Sequence, residues 1–349
     1  MARPYRQRIA LRWCWLVLVV ILVGGCATGQ FGRLDDLTAV DAKPLPVRVE
    51  LTEVAFFPQR RYQCGPAALA TVLLPFDPEV TADALVDEVY LPARQGSLQI
   101  ELLAATRARG LIPVELDGAL HAAFAELAGG RPVLVFQNLG FAWRPYWHFA
   151  VLIGYDLERS TAILRSGAHK RREIPLRVFD RTWARTGRWA FVVAPPDAPP
   201  VSADPLSWTR AAVALNAAGH DAAALTAHKA ATRRWDDSAL AWIALGNARH
   251  AGGDTDGALA ATLRSIAVEP EAHAGWNNAA FLLGERQCRR EAQRAINCAI
   301  NLAPTHATYR STYATVFGET TADGIACPPL PVCPIAGPGW PQAAPRDKR

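Results

Sequence analysis

The stretch Cys64-Gly65-Pro66-Ala67-Ala68-Leu69, and the run His148-Phe149-Ala150-Val151-Leu152-Ile153-Gly154-Tyr155-Asp156 more than eighty residues later, decide how this chain is read. The first opens an alanine- and leucine-rich segment that ends before Pro75. A proline two residues past Cys64 suits a first helical turn, where its missing N–H is not needed. A thiol at a helix N-terminus meets unpaired N–H groups and the positive end of the helix dipole, so the Cys64 pKa is expected to be lowered. Gly65 removes a side chain beside the sulfur and is expected to admit a substrate carbonyl. The second run has the continuous apolar character of a buried strand, and a rigid strand can hold an imidazole in place.

Around these two segments, Val47–Phe57 is rich in β-formers, and helical patterns recur near Ala82–Val89, Ile100–Arg109 and Leu120–Leu127. Strand-like runs follow at Pro132–Gln137, His148–Asp156, Thr161–Leu164 and Trp189–Ala194. Helices first and strands second make an α+β domain. Its histidines are His121, His148 and His169. His121 begins an apolar helical stretch, and His169 falls in the charged segment Ala168-His169-Lys170-Arg171-Arg172, expected to be a turn. That leaves His148 as the best general base.

Gln59 ahead of the Cys64–Leu69 stretch, followed by His148–Asp156, resembles the bacteriocin-processing, double-glycine-leader peptidases among the papain-like cysteine peptidases. The resemblance covers about residues 46–195. It implies that Cys64 attacks a peptide carbonyl, that His148 shuttles the proton and that Gln59 donates to the oxyanion. Gln59 lies five residues before the cysteine where many relatives have six, and Gln63 is the less favoured donor. The family places Asp or Asn on the strand after the histidine to hold the imidazole tautomer. Here that strand ends in Ser166-Gly167. Ser166 can accept a hydrogen bond but supplies no negative charge, and Asp156 is expected to serve the turn at the end of the histidine's own strand.

Upstream, residues 1–25 have an arginine-rich start, an apolar run of eleven residues from Trp13 to Val23, and Gly24-Gly25 before Cys26. Eleven apolar residues fall short of the roughly 20 needed to span a bilayer, so this is a signal segment. Val23-Gly24-Gly25-Cys26 resembles a bacterial lipobox, which implies lipidation of Cys26; a plain signal peptide or short signal anchor is the alternative. Ala27, where an Asp would favour the inner membrane, favours a lipid-anchored protein of the cell envelope at the outer membrane, facing the periplasm. Residues 26–45 read as a tether.

Downstream, PPDAPPVSADP at 195–205 reads as a proline-rich linker, centred on 196–204. Beyond it Trp208, Trp242 and Trp276 recur 34 residues apart, as do Ala224, Ala258 and Ala292. Ala231 aligns with Ser265 and Ala299, and Asp236 with Pro270 and Pro304. This register, with Trp242-Ile243-Ala244-Leu245-Gly246, resembles the tetratricopeptide repeat. Three repeats over 205–306 are expected to form an all-α solenoid, followed by a capping helix at Ala307–Phe317 within a final segment, 307–349, whose tail is rich in proline.

The seven cysteines are 14, 26, 64, 288, 298, 327 and 333. Cys288 and Cys298, ten residues apart on one helix, stand about 15 Å apart along its axis. A disulfide needs Cα atoms within roughly 7 Å, so each is expected to pair with Cys327 or Cys333, stapling the tail to the last repeat.

The formal charge of +5 falls to +1 when the four arginines Arg3, Arg6, Arg8 and Arg12 leave with the signal. No basic stripe with interleaved aromatics remains, so nucleic acid is not expected as a partner. No CxxC or HExxH spacing suggests a metal, and no cofactor is expected. The expected function is a lipid-anchored peptidase whose repeats recruit a peptide or protein in their groove. An inactive peptide-gripping scaffold, or an acyltransferase using the same Cys–His pair, is the alternative.

Overall fold

The computed structural model describes residues 44–317 and 327–335. The expectations for the signal, Cys26, most of the tether and much of the tail lie outside the described residues. No helix of the described residues is long and apolar enough to cross a membrane.

The first unit is built on a mixed set of helices and one seven-stranded sheet with antiparallel pairings. Its strands are β1 (Arg48–Glu50), β2 (Ile112–Glu115), β3 (Val133–Asn138), β4 (Trp147–Asp156), β5 (Thr161–Ser166), β6 (His169–Pro175) and β7 (Ala190–Ala194). The order is β2-β7-β3-β4-β5-β6, with β1 also pairing to β4. Four helices precede β4: α1 (Cys64–Leu73), α2 (Ala82–Val89), α3 (Gln99–Arg107) and α4 (Leu120–Ala128); α5 (Leu176–Ala184) follows β6.

β4 is the spine. Phe149, Val151 and Ile153 face a core made with α1, whereas Ala150, Leu152 and Tyr155 face a second core made with α4 and α5. The strict alternation breaks at a bulge between Leu152 and Gly154. An extra residue there re-phases the side chains, so that Ile153 and Tyr155 still reach opposite cores. Glycine is required at the bulge because a Cβ on Gly154 would press into the backbone of Val49 and Glu50. That close approach is what admits β1 to the sheet.

Two elements differ from their sequence reading. Val47–Phe57 forms only the three-residue β1, its remainder being held as loop. The charged segment containing His169 is not a turn but the start of β6, an edge strand paired to β5. The turn is the two-residue Gly167-Ala168, with Gly167 at φ +63°. Charge does not oppose strand formation here because an edge strand shows its side chains to water, and like charges there discourage pairing with other chains.

The second unit comprises α6 (Pro205–Ala217), α7 (Asp221–Arg234), α8 (Ala239–Ala251), α9 (Thr255–Val268), α10 (His273–Glu285), α11 (Arg289–Leu302) and α12 (Ala307–Phe317). Helix starts recur every 34 residues, at 205, 239 and 273 and again at 221, 255 and 289. Trp242 and Trp276 donate their indole N–H groups to the carbonyls of Asp236 and Pro270, each at 2.8 Å, so the repeated tryptophan ties each helix to its preceding loop. Trp208 instead donates to Ala227 on the neighbouring helix, at 2.9 Å.

The proline-rich segment between the units is docked rather than extended. The Ser202 amide donates to the buried Glu126 carboxylate at 2.5 Å, and Arg131 and Arg234 donate to the carbonyls of Ala198 and Val201. Trp208, Ala212 and Leu215 of α6 join Phe124 and Leu127 of α4 in one core. Burial of that shared surface is what fixes the linker.

Cys288 pairs with Cys327 and Cys298 with Cys333, with Cα separations of 5.6 and 5.9 Å. The tail is thus stapled across α11. Replacing Cys298 and Cys333 together by serine should destabilise the last helices on the order of 2–4 kcal/mol, because the open chain regains loop entropy. Hydrogen exchange should show lost protection confined to α10–α12. Unchanged protection there would show that the bridge adds nothing to stability.

Candidate active site

The site forms where β5 leaves β4. The two strands are in register from Val151↔Arg165 to Asp156↔Thr161, but the opening residues of β4 have β3 on one edge and no strand on the other. Buried backbone groups need partners, and two side chains supply them at Phe149. Gln59 Nε2 donates to the Phe149 carbonyl at 3.1 Å. The Phe149 N–H points to the Cys64 sulfur. Gln59 also spans the gap itself, accepting from the Gly167 N–H at 2.9 Å on Oε1 and donating its backbone N–H to the Gly167 carbonyl at 3.1 Å. One hydrogen of its amide remains uncommitted.

Cys64 opens α1, and no side chain caps this terminus. The N–H groups of Cys64 and Gly65 are therefore left for the sulfur. Tyr62, two residues upstream, sits at φ +67°, a conformation uncommon for a side-chain-bearing residue. Gly65 does not serve substrate access as expected. It is buried, and a Cβ there would collide with Ser97, so its role is to let α1 pack against that loop.

His148 is buried, and its Nε2 lies 2.8 Å from Ser166 Oγ. This leaves Nδ1 as the ring nitrogen free to exchange a proton. Among the hydrogen bonds of the described residues none runs directly between the thiol and the imidazole. Their link is the Phe149 amide, one residue past the histidine. Asp156 serves the turn, accepting from the Arg159 N–H at 2.9 Å. Gln63 occupies the cap position of α1. His121 and His169 lie on α4 and β6, away from this strand end.

The electrostatics correct the expectation of a resting thiolate. Burial pushes the Cys64 thiol above its ordinary value, with the three N–H groups opposing it incompletely. Burial, helped by the positive charge of Arg172, depresses His148 to about 4. A neutral thiol therefore faces a neutral imidazole near pH 7. Helix-terminus stabilisation loses here because desolvation of a charged sulfur outweighs a few partial charges.

Several contributors had little or no sequence signature. Buried Arg165 donates to the carbonyls of Thr52 (2.9 Å) and Val54 (2.7 Å), and also to Lys170, clamping the loop that leads to Gln59. The β3–β4 loop carries exposed Phe141, Trp143, Tyr146 and Trp147 directly before His148. Asn138 holds it, its Oδ1 accepting from Gly140 and Tyr146 N–H, both at 2.9 Å. The density of aromatics there was legible. A hollow of about 320 Å³ lies beside Gln59, Gln63 and Pro66. Among the described residues no cluster of three or more His, Cys, Asp or Glu could hold a metal.

Residues 51–191 match the Peptidase_C39 like family. That segment is the sheet domain described above, and it is cysteine-peptidase-like. A crystal structure described as a C39-like peptidase from Bacillus anthracis is 17% identical, with a TM-score of 0.35, covering 42% of this chain and 97% of that one. A double glycine motif protease from an AMS/PCAT transporter, solved with the leader peptide, is 22% identical, with a TM-score of 0.31, covering 41% and 91%. Among curated proteins none matches this chain.

The protonation states set two outcomes. His148 and His228 are both depressed from 6.5 to about 4 by burial, so the unfolded chain binds protons more readily between those values. Stability is full above pH 6.5 and falls as pH drops from 6.5 toward about 4; the melting temperature should decline across that window, less so in His148→Gln. Alkylation of Cys64 in the free protein should rise about tenfold per pH unit from about pH 6 to 9, as for a protonated thiol. A plateau below pH 7 would reveal a resting ion pair and overturn the neutral assignment.

Proposed function

We infer that this chain is an envelope-anchored cysteine peptidase that hydrolyses peptide bonds through Cys64 and His148. The observation that carries the reading is the meeting of the Cys64 sulfur with the amide following His148, inside the segment that matches a peptidase family. Neutral imidazole is the competent form of a general base. As sulfur attacks the carbonyl, His148 takes the thiol proton, and the negative charge develops on oxygen. The Cys64 N–H and the uncommitted Gln59 amide hydrogen are the donors for that oxyanion. The imidazolium then protonates the departing amine, and water resolves the thioester, releasing acid and restoring the thiol. Ser166 is a positioning residue for the ring.

The 34-residue periodicity of the helices supports reading 205–306 as three tetratricopeptide repeats that recruit substrate or partner. The expected lipid on Cys26 would hold both units at the outer membrane, facing the periplasm. The exposed aromatic loop beside His148 suits apolar side chains of a peptide substrate.

A second reading, a scaffold whose peptidase-like domain only grips peptides, is favoured by one observation: the partner of the imidazole is a hydroxyl rather than a carboxylate. An acyl transfer through the same thioester, with an amine in place of water, differs only in the acceptor.

Comparing peptides released by cells carrying wild type or Cys64→Ala tests the enzymatic reading, and identical profiles would favour the scaffold. With a cleaved peptide in hand, Ser166→Ala should lower kcat by about tenfold, whereas Ser166→Asp should raise kcat and move the acid limb of the pH profile upward from near 4, because a carboxylate stabilises imidazolium. A Ser166→Asp variant with an unmoved acid limb would remove His148 as the base.

A further inference from the structure

In the first helix pair, α6, α7 and α8 enclose a groove of about 520 Å³, with walls that include Val213, Leu225, Leu240 and Ile243. Val213 and Leu240 are large apolar side chains left exposed at its rim. Thr209 and His228 also line it. Both are more than nine-tenths buried, at 8% and 3% exposure. Neither has a partner: the Thr209 hydroxyl and His228 Nδ1 are buried without a hydrogen bond, and the other ring nitrogen makes none to the protein. The adjacent residues Trp208 and Ala227 are hydrogen-bonded at 2.9 Å, which sets Thr209 and His228 side by side across the α6–α7 seam.

The repeat register supplies an internal control. Thirty-four residues on, the place of Thr209 is taken by Ile243, and two periods on, the place of His228 is taken by buried Ile296. An apolar side chain therefore satisfies the packing at either position. Polar groups kept in an apolar groove without partners are a cost to folding, and their use is to meet a ligand.

We propose that this groove is a binding site for a phenolic group, an aromatic ring seated among the apolar walls with its hydroxyl between His228 and Thr209. A hydroxyl both donates and accepts, so one group can satisfy an imidazole nitrogen and a threonine O–H together. A carboxylate or ammonium would enter against apolar walls with no counter-charge at the floor. A primary amide would bury a second donor without an acceptor. The phenol may be supplied by a tyrosine of a peptide or by a free small molecule. The site deepens the recruiting role proposed for the helical unit and is independent of the thiol chemistry.

The test uses full-length protein carrying ¹⁵N-histidine, titrated with p-cresol and with toluene while the His228 ring nitrogens are followed by NMR. The expected result is a shift of the His228 nitrogens with p-cresol and at least about tenfold weaker binding of toluene, since a site built for a hydroxyl rejects the analogue that lacks it. Thr209→Val and His228→Phe, each checked for helicity, should abolish that preference. Equal binding of the two probes, or p-cresol binding that leaves the His228 nitrogens unmoved, would overturn the proposal; the wild-type pair decides even if a variant fails to fold. Tighter binding of Ala-Ala-Tyr-Ala-Ala than of p-cresol assigns the ligand to a peptide, and the reverse to a small molecule. Loss of this site would leave cleavage chemistry at Cys64 to be judged separately, because that is read from released peptides.

Discussion

The peptide unit at Phe149 is the constraint on which the candidate site depends. A strand edge inside a domain carries N–H and C=O groups that must be partnered, and a neighbouring strand is the usual solution. Here β5 turns away at Ser166-Gly167 before it can cover the opening of β4. The Gln59 amide takes the carbonyl and the Cys64 sulfur takes the N–H. Both groups are thereby fixed next to His148 by the same demand that would otherwise have extended the sheet. Arg165 reinforces this by holding the incoming loop to the departing strand. Removal of strand pairing thus creates a place for chemistry without leaving backbone polarity unsatisfied.

The same enclosure governs protonation. Packing the thiol and the imidazole against two cores makes either charged form costly, so each is held neutral from opposite directions. A neutral pair does not attract a resting proton transfer, yet it leaves the imidazole as acceptor at the moment sulfur attacks. The hydroxyl of Ser166 fits this arrangement: it orients Nε2 without placing a permanent negative charge in the core. A carboxylate there would raise the imidazole toward its charged form, and the desolvation of two further charges would have to be met by the surrounding packing.

The elements that were legible in the sequence are those whose signal is local. The proline-tolerant first turn at Cys64–Pro66, the unbroken apolar run of β4 and the 34-residue tryptophan column all depend on near neighbours, and each became an element close to its expected bounds. Those that escaped depend on position in the sheet. β6 looks like a solvated turn because its charges belong to an edge, although the two-residue Gly167-Ala168 connection was a hairpin signal. β2 carries Pro113, which a central strand would reject and an edge strand accepts. In the site, Cys64, His148, Gln59 and Ser166 could be named from order and residue type. The thiol's protonation could not, since burial is set by packing between segments far apart in sequence. The double anchorage of Gln59 was hidden for the same reason.

Continuity of the core also changes what the proline-rich segment means. Composition marks 196–204 as a break, and a break suggests two bodies that move independently. Instead α6 places Trp208 and Leu215 against Phe124 and Leu127, and the buried Glu126 carboxylate receives the Ser202 amide. Freeing the helical unit would expose that apolar surface and leave a buried carboxylate without this donor. Either loss is comparable to a sizeable part of a domain's whole stability. The sheet unit and the first helix pair therefore fold as neighbours with a fixed relation, and the α6–α8 groove keeps one bearing relative to the strand end that carries His148. A chain segment held at one site is presented to the other at a set distance rather than by diffusion of a tethered module, and this gives a rigid connection a purpose where proline content alone suggested a spacer.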